Sequence, residues 1–194
     1  MGVIGTALSM SLDGFIAGQD GRAGGLHDWL TDGETPSRFS PSFKMSAPSA
    51  EFFDEGVAGT GAVVAGRRTY DVSGAWDGRG PIPGLPLVIL THRVPGSVPA
   101  GDPPYTFVTD GIGRAVERAR AMAGGKNVHL MGASVVQQSI RVGLLDVLII
   151  SLVPQVLGRG VRLLDGLDAG TVGFEVVRVI DAPGVTHLTY RVIR

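Results

Sequence analysis

The sequence predicts an α/β protein with a mixed, mainly parallel sheet. Short apolar, β-prone runs alternate with helical segments up to about residue 150, which is the pattern of a doubly wound sheet. The last two β-rich runs, 174–180 and 185–193, are separated by Ala182-Pro183-Gly184, so we expect a terminal antiparallel hairpin. Thirty glycines and twelve prolines divide the remaining chain into short elements.

The elements follow from local apolar runs and from the residues that end them. The predicted strands before the hairpin are 3–12, 61–65, 87–90, 105–109, 128–131 and 145–153. The predicted helices are 47–55, a helix with Asp110 as its N-cap that ends at Gly124-Gly125, and 133–142. Residues 13–46 are polar and rich in glycine, which favours a long functional loop. We expect a single domain over residues 1–194, because no linker or repeat interrupts the pattern.

Composition excludes several classes of protein. The formal net charge is −1, so the chain as a whole is not built to bind nucleic acid or an anionic membrane. No cysteine is present, which excludes a disulfide framework and a thiolate nucleophile. We expect no metal site, since His27, His129 and His187 are scattered without ligand spacing. No secretory signal and no apolar run of roughly 20 residues is seen, so a cytoplasmic protein is expected.

The first candidate binding segment follows the strand 128–131. Met131, Gly132, Ala133, Ser134 and Val135 form a strand end, a glycine turn and a helix start. Free backbone N–H groups and the positive end of the helix favour an anion such as phosphate at this point. An ordinary tight turn without a ligand is the alternative.

Two further segments follow buried strands in the same way. Gly66, Arg67, Arg68 and Thr69 come directly after the strand 61–65, and Thr91, His92 and Arg93 come after the strand 87–90. Arginine binds phosphate oxygens bidentately, and ligands of open α/β sheets bind outside the carboxyl ends of the strands. One ligand with several phosphates would account for all three segments; three unrelated loops are the alternative.

These motifs resemble those of the dihydrofolate reductase-like superfamily in order and spacing. The segments are 9–17 (SMSLDGFIA), 66–70 (GRRTY), 90–93 (LTHR) and 130–134 (LMGAS). The closer resemblance is to the bacterial branch that contains the reductase domain of riboflavin biosynthesis. The stretch 145–164, with Pro154, Gly158 and Gly160, is also similar to that branch.

The resemblance implies a dihydrofolate reductase-like three-layer α/β/α fold and NADPH as hydride donor. It places Arg67 at the adenosine 2′-phosphate, with His92 and Arg93 nearby, and Thr69 with Gly132-Ala133-Ser134 at the pyrophosphate. Ser9, Ile16 and Ala17 would line the nicotinamide pocket, and Asp13-Gly14 would begin a mobile loop over it. The apolar run 144–153 could support a subunit interface, as in relatives, so a homodimer is expected; a buried central strand is the alternative.

The sequence departs from dihydrofolate reductases at the acidic residue that binds the pterin ring. That position falls near Ala50, with Glu51 beside it and Asp54 one turn further. Either carboxylate is a candidate catalytic group if the helix shifts, and solvated helix residues are the alternative. A substrate other than folate is therefore at least as consistent with the sequence.

The predicted function is an NADPH-dependent reductase that transfers a hydride to a small heterocyclic substrate (pterin-, folate- or pyrimidine-like) or to a carbonyl compound. The first alternative is a ribosylamino-pyrimidine reductase of riboflavin synthesis, for which Arg159 and Arg162 could bind a substrate phosphate. The second alternative is a nucleotide-binding module without turnover.

Overall fold

The computed structural model describes residues 2–168 and 170–193. Met1, Ala169 and Arg194, which belong to the predicted domain 1–194, lie outside the described residues. The described strands are β1 (Ile4–Ser11), β2 (Phe15–Ala17), β3 (Thr35–Pro36), β4 (Lys44–Met45), β5 (Thr60–Gly66), β6 (Leu87–Leu90), β7 (Thr106–Val108), β8 (Asn127–Met131), β9 (Val147–Val153), β10 (Val161–Arg162), β11 (Gly173–Ala182) and β12 (Val185–Ile193). The described α-helices are α1 (Ala47–Gly59), α2 (Arg67–Val72), α3 (Ile112–Met122) and α4 (Ala133–Arg141).

Eight strands form one sheet in the order β11-β12-β9-β1-β8-β5-β6-β7. All pairings from β9 to β7 are parallel, whereas β12 is antiparallel to β9 and β11 is antiparallel to β12. The mixed, mainly parallel sheet and its terminal hairpin are therefore confirmed. Since parallel strands share a direction, the carboxyl ends of β1, β5, β6, β8 and β9 meet at one edge.

The alternation of side chains along the strands creates the layers on the two sheet faces. Within β5, Val64 packs into a core with Val116 of α3 and Val136 of α4. The neighbouring Val63 points to the opposite face and packs against Tyr70 of α2. Every residue of β5 is buried, as expected for a strand covered on both faces.

Helix α1 covers the other end of the sheet, beside the hairpin. Its Ala50 packs with Val153 of β9 and Val185 of β12. A gap remains between α1 and α2 over the centre of the sheet, and this gap contains the cavity described below.

Several predicted boundaries are wrong, and for α1 and α3 the structure shows the reason. Helix α1 continues to Gly59 rather than ending at residue 55, because Thr60 Oγ1 donates to the Gly56 carbonyl at 2.8 Å and closes the last turn. Asp110 is not the N-cap of α3; Gly111 holds that position with φ 99°, a conformation that favours glycine. Strand β1 covers Ile4–Ser11 rather than 3–12, and β9 begins at Val147 rather than at residue 145.

The segment 13–46 is more ordered than the predicted loop. It contains β2, the antiparallel pair β3 and β4, and a 3-10 helix at Gly24–Leu30. This segment has its own apolar side chains, since Leu26 and Met45 are fully buried in the cluster that includes Ala50. The dispersed spacing of these apolar residues gave no periodic signal in the sequence.

Candidate functional site

A cavity of about 1560 Å³ opens on the sheet face that carries α1 and α2. Ser9 of β1, Met131 of β8 and Ser151 of β9 line it from the sheet, and Phe52 of α1 and Thr69 of α2 line it from opposite sides. Common small-molecule sites have roughly 300–1,000 Å³. The cavity is therefore large enough for an extended ligand.

The described residues give this cavity a positive lining. Five arginines line it, against two carboxylates, Glu55 and Asp165. The arginines are Arg22, Arg68, Arg141, Arg162 and Arg178. An excess of cations in a concave site attracts an anionic ligand although the whole chain has a net charge of −1.

The turn from β8 to α4 has the geometry of an anion site. Gly132 has φ 100° and ψ 146°, a region that is essentially restricted to glycine. The first helical bond runs from Val136 N–H to the Gly132 carbonyl at 3.2 Å, so the amides of Ala133, Ser134 and Val135 have no helical acceptor. These amides and the helix dipole favour a negative charge beside Ala133 and Ser134, which line the cavity.

The turn from β5 to α2 packs directly against the turn that contains Gly132. A Cβ added at Gly132 would lie 2.5 Å from Thr69 Oγ1, and one added at Gly66 would lie 3.3 Å from Ser134 Oγ. The two turns therefore form one continuous surface, in which glycine at both positions permits the close approach.

The arginines of the β5–α2 turn have different surroundings. Arg68 lines the cavity, and its Nη2 donates to the Gln19 carbonyl at 3.0 Å. Arg67 lies at the outer rim, where its Nε donates to both Asp71 oxygens at 2.8 and 2.9 Å. Its Nη1 donates to the Arg93 carbonyl at 2.8 Å, which joins this turn to the loop after β6.

The loop after β6 is held by Thr91. The Thr91 hydroxyl donates to the Arg93 carbonyl at 2.8 Å and accepts from the Arg93 amide at 3.3 Å. Thr91 is buried, whereas His92 and Arg93 are exposed beside Arg67. These three residues do not line the cavity, and the loop is joined to it through the bond from Arg67 to the Arg93 carbonyl.

The structure thus brings the predicted cofactor residues to one edge of the sheet, in two groups. Those that line the cavity are Ser9, Ile16, Ala17, Arg68, Thr69, Met131, Gly132, Ala133 and Ser134. Those at or beyond its rim are Gly66, Arg67, Thr91, His92 and Arg93. Val135 is fully buried in the core, so only its backbone amide is available to a ligand.

The two predicted catalytic carboxylates do not line the cavity. Asp54 is buried on the far side of α1, where it accepts from Ser37 Oγ at 2.6 Å and from Arg38 Nε at 3.1 Å. Burial opposes its ionisation, but these hydrogen bonds and the charge of Arg38 outweigh burial and lower the pKa of Asp54. Glu51 is exposed. On α1 the residues that line the cavity are Phe52, Phe53, Glu55, Gly56 and Val57, and Glu55 is paired with Arg178 at 2.7 Å.

Sequence reasoning missed a polar cluster behind the cavity floor. His187 of β12 is 1% exposed, with Nε2 3.0 Å from Ser49 Oγ and Nδ1 2.9 Å from Ser151 Oγ. Its ring stacks on Phe52 and meets the edge of Trp29, and burial lowers the pKa of His187 to about 4. A single serine within the apolar run 145–153 was the one local signal for this cluster.

Asp13 fixes the segment that follows β1. Its carboxylate accepts from Ser11 Oγ at 2.6 Å and from the amides of Leu157 and Gly158 at 3.1 and 2.7 Å. The bond from Ser11, together with those from the two amides, outweighs burial and lowers the pKa of Asp13 to about 2. An ionised Asp13 thus ties the end of β1 to the stretch before β10.

Within residues 2–168 and 170–193, no group of three or more histidine and acidic side chains is placed to hold a metal ion. Within the same residues, no helix is long and apolar enough to cross a membrane.

Comparison with solved structures supports the fold. A putative riboflavin biosynthesis protein from Shewanella sp. PV-4 is similar over 100% of both chains, with 24% identity and a TM-score of 0.74. Dihydrofolate reductase from Enterococcus faecalis, solved with NADP(H), is similar over 99% of this chain and 97% of its own, with 16% identity and a TM-score of 0.61. These similarities confirm the dihydrofolate reductase-like fold.

A bifunctional enzyme from Thermotoga maritima has the same fold in part of its chain. It is a diaminohydroxyphosphoribosylaminopyrimidine deaminase and 5-amino-6-(5-phosphoribosylamino)uracil reductase, with 16% identity and a TM-score of 0.65. The similarity covers 98% of this chain and 56% of that enzyme. No curated protein matches the chain in sequence.

The family model of the RibD C-terminal domain matches residues 3–183. This match covers most of the chain and includes all of the segments that carry the predicted resemblance, which is thereby confirmed together with the assignment as an oxidoreductase. The chain therefore belongs to the RibD C-terminal domain family.

Proposed function

We propose that this protein is an NADPH-dependent reductase that transfers a hydride to a small heterocyclic or carbonyl substrate. The observation that carries the proposal is the joined surface of the Gly66–Thr69 and Gly132–Val135 turns, continued by Arg67 to the loop after β6. NADPH supplies the hydride when bound, and the protein positions the reacting groups and excludes water.

The proposed division of work follows from the contacts. The amides of the first turn of α4 and Thr69 would hold the pyrophosphate. Arg67, with His92 and Arg93, would hold the 2′-phosphate; its Nε and Nη1 are already bonded to Asp71 and the Arg93 carbonyl, which leaves Nη2 for a phosphate oxygen. Ser9, Ile16 and Ala17, which lie together on the cavity lining, would contact the nicotinamide.

The cofactor assignment is tested by titrating the protein with NADPH and NADH. We expect NADPH to raise the melting temperature and to bind more tightly than NADH. Arg67→Ala should weaken the binding of NADPH at least tenfold and that of NADH little, because a charge-assisted contact to phosphate is worth about 1.5–3 kcal/mol. Arg114→Ala is the matched control, since Arg114, like Arg67, is paired with an acid on its own helix. Equal losses for both dinucleotides would contradict the proposed contact.

A riboflavin-pathway pyrimidine reductase is the second candidate function. Family membership favours it, and Arg162 supplies a cation for a substrate phosphate: it lines the cavity and lies over the Phe15 ring at 4.4 Å. Arg159, the other sequence candidate, does not line the cavity. The test uses 5-amino-6-(5-phosphoribosylamino)uracil as acceptor and follows NADPH oxidation by absorbance.

The outcomes of this assay separate the candidates. If the protein reduces this acceptor, and Arg162→Ala raises the KM for it while kcat changes little, the result supports the pathway reductase. Turnover of other carbonyl or heterocyclic acceptors supports the broader reductase. NADPH binding without oxidation by any acceptor would leave the nucleotide-binding module as the function.

A cytoplasmic homodimer completes the proposal. On the hairpin, Phe174, Leu188, Tyr190 and Val192 are partly buried against the core, and Val176 and Val179 stand opposite Tyr190 and Leu188. Val176 and Val179 are each 56% exposed. Exposed apolar side chains that are contiguous on an edge hairpin favour association with a second copy.

A further inference from the structure

The floor of the cavity carries two hydroxyl groups side by side. Ser9 and Ser151 are direct partners in the register of β1 with β9, and both line the cavity. Partners in register on adjacent strands project to the same face of the sheet. Ser9 Oγ accepts from Trp29 Nε1 at 3.0 Å, so its own proton is not used by that bond.

Ser151 is the last member of a line of polar groups that starts at the beginning of α1. Ser46 Oγ donates to Ser49 Oγ at 3.1 Å, and Ser49 Oγ lies 3.0 Å from His187 Nε2. His187 Nδ1 lies 2.9 Å from Ser151 Oγ. The line therefore connects the N-terminus of α1 to the cavity through a buried imidazole.

The direction of these bonds determines what Ser151 offers to a ligand. Because burial lowers the pKa of His187 to about 4, the ring is neutral at pH 7 and carries one N–H. Ser49 Oγ accepts from Ser46 Oγ, which leaves the Ser49 proton free to be donated to Nε2. In that tautomer the ring proton is on Nδ1 and is donated to Ser151, whose hydroxyl proton remains for an acceptor in the cavity.

Among the described residues, Ser9, Ser151 and His187 make no hydrogen bond to a carboxylate. Of the two carboxylates that line the cavity, Asp165 is exposed after β10 and accepts from the Gly166 amide. Glu55, which lines the cavity further along α1, is paired with Arg178. Asp54 is turned to Ser37 and Arg38, and Asp13 to Ser11 and the amides of Leu157 and Gly158. A cationic amidine beside Ser151 and Ser9 would therefore meet hydroxyl groups rather than a bonded carboxylate, whereas a neutral acceptor would find a hydrogen-bond donor.

We propose that Ser151, oriented by His187, is a specificity-determining donor that receives a neutral carbonyl or imine group of the substrate. The proposal rests on the proposed reductase function and narrows its substrate class to uncharged carbonyl-bearing or imine-bearing compounds. His187 and Ser49 act as positioning residues, since they reach the substrate only through Ser151.

The first test measures the tautomer of His187 without any ligand. Protein labelled with ¹⁵N-histidine is examined by NMR at neutral pH, and the His187 signals are identified by their loss in His187→Gln. We expect the proton on Nδ1 and a bare Nε2. If His187→Gln does not fold, the change of the same signals in Ser151→Ala identifies them. A proton on Nε2 would overturn the proposal.

The second test compares two probes of equal ring size, uracil and 2,4-diaminopyrimidine, in mildly acidic buffer. Uracil presents neutral carbonyl groups, whereas protonated diaminopyrimidine presents a cationic amidine. We expect uracil to bind and diaminopyrimidine to bind at least tenfold more weakly. Tighter binding of the cation, or no binding of uracil at millimolar concentration, would overturn the proposal.

Variants then assign the preference to Ser151. Ser151→Ala should weaken the binding of uracil five- to tenfold. Ser151→Thr, which keeps the hydroxyl, should recover most of the lost affinity. Ser139→Ala is the matched control, because Ser139 is a fully buried serine of α4 whose hydroxyl has no partner among the described residues. Equal affinity in Ser151→Ala and Ser139→Ala would refute the role of Ser151. NADPH binding is measured on the same samples. A protein that does not bind NADPH would contradict the reductase proposal, whatever the result for Ser151.

Discussion

Gly132 is the residue on which the anion-binding surface depends most directly. Its φ of 100° is unfavourable for any residue with a side chain, and a Cβ would lie 2.5 Å from Thr69 Oγ1. Gly132→Ala should therefore lower the free energy of unfolding by about 1–3 kcal/mol. The substitution should also weaken the binding of NADPH, since the turn must move away from Thr69. Urea denaturation and NADPH titration measure the two effects.

Gly113→Ala is the control for this prediction. Gly113 lies in α3, and a Cβ added there has no neighbour within 4 Å. Alanine should raise the free energy of unfolding by about 0.5–1 kcal/mol, because it restricts the unfolded chain and favours the helix. Gly132→Ala with stability and NADPH affinity equal to wild type would show that the turn does not need glycine.

The buried His187 ring should make the free energy of unfolding fall in acid. Burial lowers its pKa from 6.5 to about 4, so between these values the unfolded chain binds a proton that the folded protein does not. The stabilisation is complete above pH 6.5 and is lost as the pH falls towards 4. One pKa unit corresponds to about 1.4 kcal/mol, so His187 alone should remove about 3 kcal/mol over this range.

The measurement is urea unfolding across this pH range for wild type and His187→Gln. The variant should lose less stability on acidification, because glutamine does not titrate. His129, whose pKa burial also lowers to about 4, contributes equally to both proteins. An identical pH dependence in wild type and His187→Gln would contradict the assignment.

At the scale of structural elements, two hydrogen bonds link the segment after β1 to the stretch before β10. The Asp13 carboxylate accepts from the amides of Leu157 and Gly158. Asp13→Ala should increase hydrogen exchange of these two amides and weaken NADPH, because Ile16 and Ala17 follow directly on the same segment. NMR-detected exchange measures the first effect. Asp20→Ala, which removes only a local bond to the Arg22 amide, should leave both amides protected; equal exchange in the two variants would contradict this link.

The strands and the binding turns could be predicted because their signals are local. Leu87–Leu90 was predicted to the residue, as a short apolar run ended by polar residues. The turn at Gly132 was predicted because a strand, a glycine and a helix start occur in sequence. The predicted anion-binding segments at Arg67 and Gly132 accordingly lie at one edge of the sheet.

The substrate end of the cavity could not be predicted, because its contacts are distant in sequence. Ser49 and His187 are 138 residues apart and meet only once α1 packs beside β12. Glu51 and Asp54 were chosen by alignment to a helix whose rotation the sequence does not reveal, and a shift of one residue turns a side chain by about 100°. Asp54 instead accepts hydrogen bonds from Ser37 and Arg38. These two residues belong to the segment 13–46, which the sequence did not predict to be ordered.

The quaternary structure can be tested at the hairpin. Val176→Lys combined with Val179→Lys should raise the dissociation constant of the proposed dimer at least tenfold, since each 1.4 kcal/mol of lost apolar burial is about tenfold. Sedimentation at several concentrations measures this change. Val98→Lys is the control, because Val98 is also exposed but lies between β6 and β7 at the other side of the sheet. A wild-type monomer at high concentration would contradict the dimer.

The central place of β1 has a consequence for synthesis of the protein. The strand precedes both of its partners in the chain, since it pairs with β8 on one side and with β9 on the other. Its full pairing must wait until residue 153 has left the ribosome, at a translation rate of roughly 5–20 residues per second. For several seconds an apolar strand of the nascent chain therefore has unsatisfied edges, until the sheet can close around it.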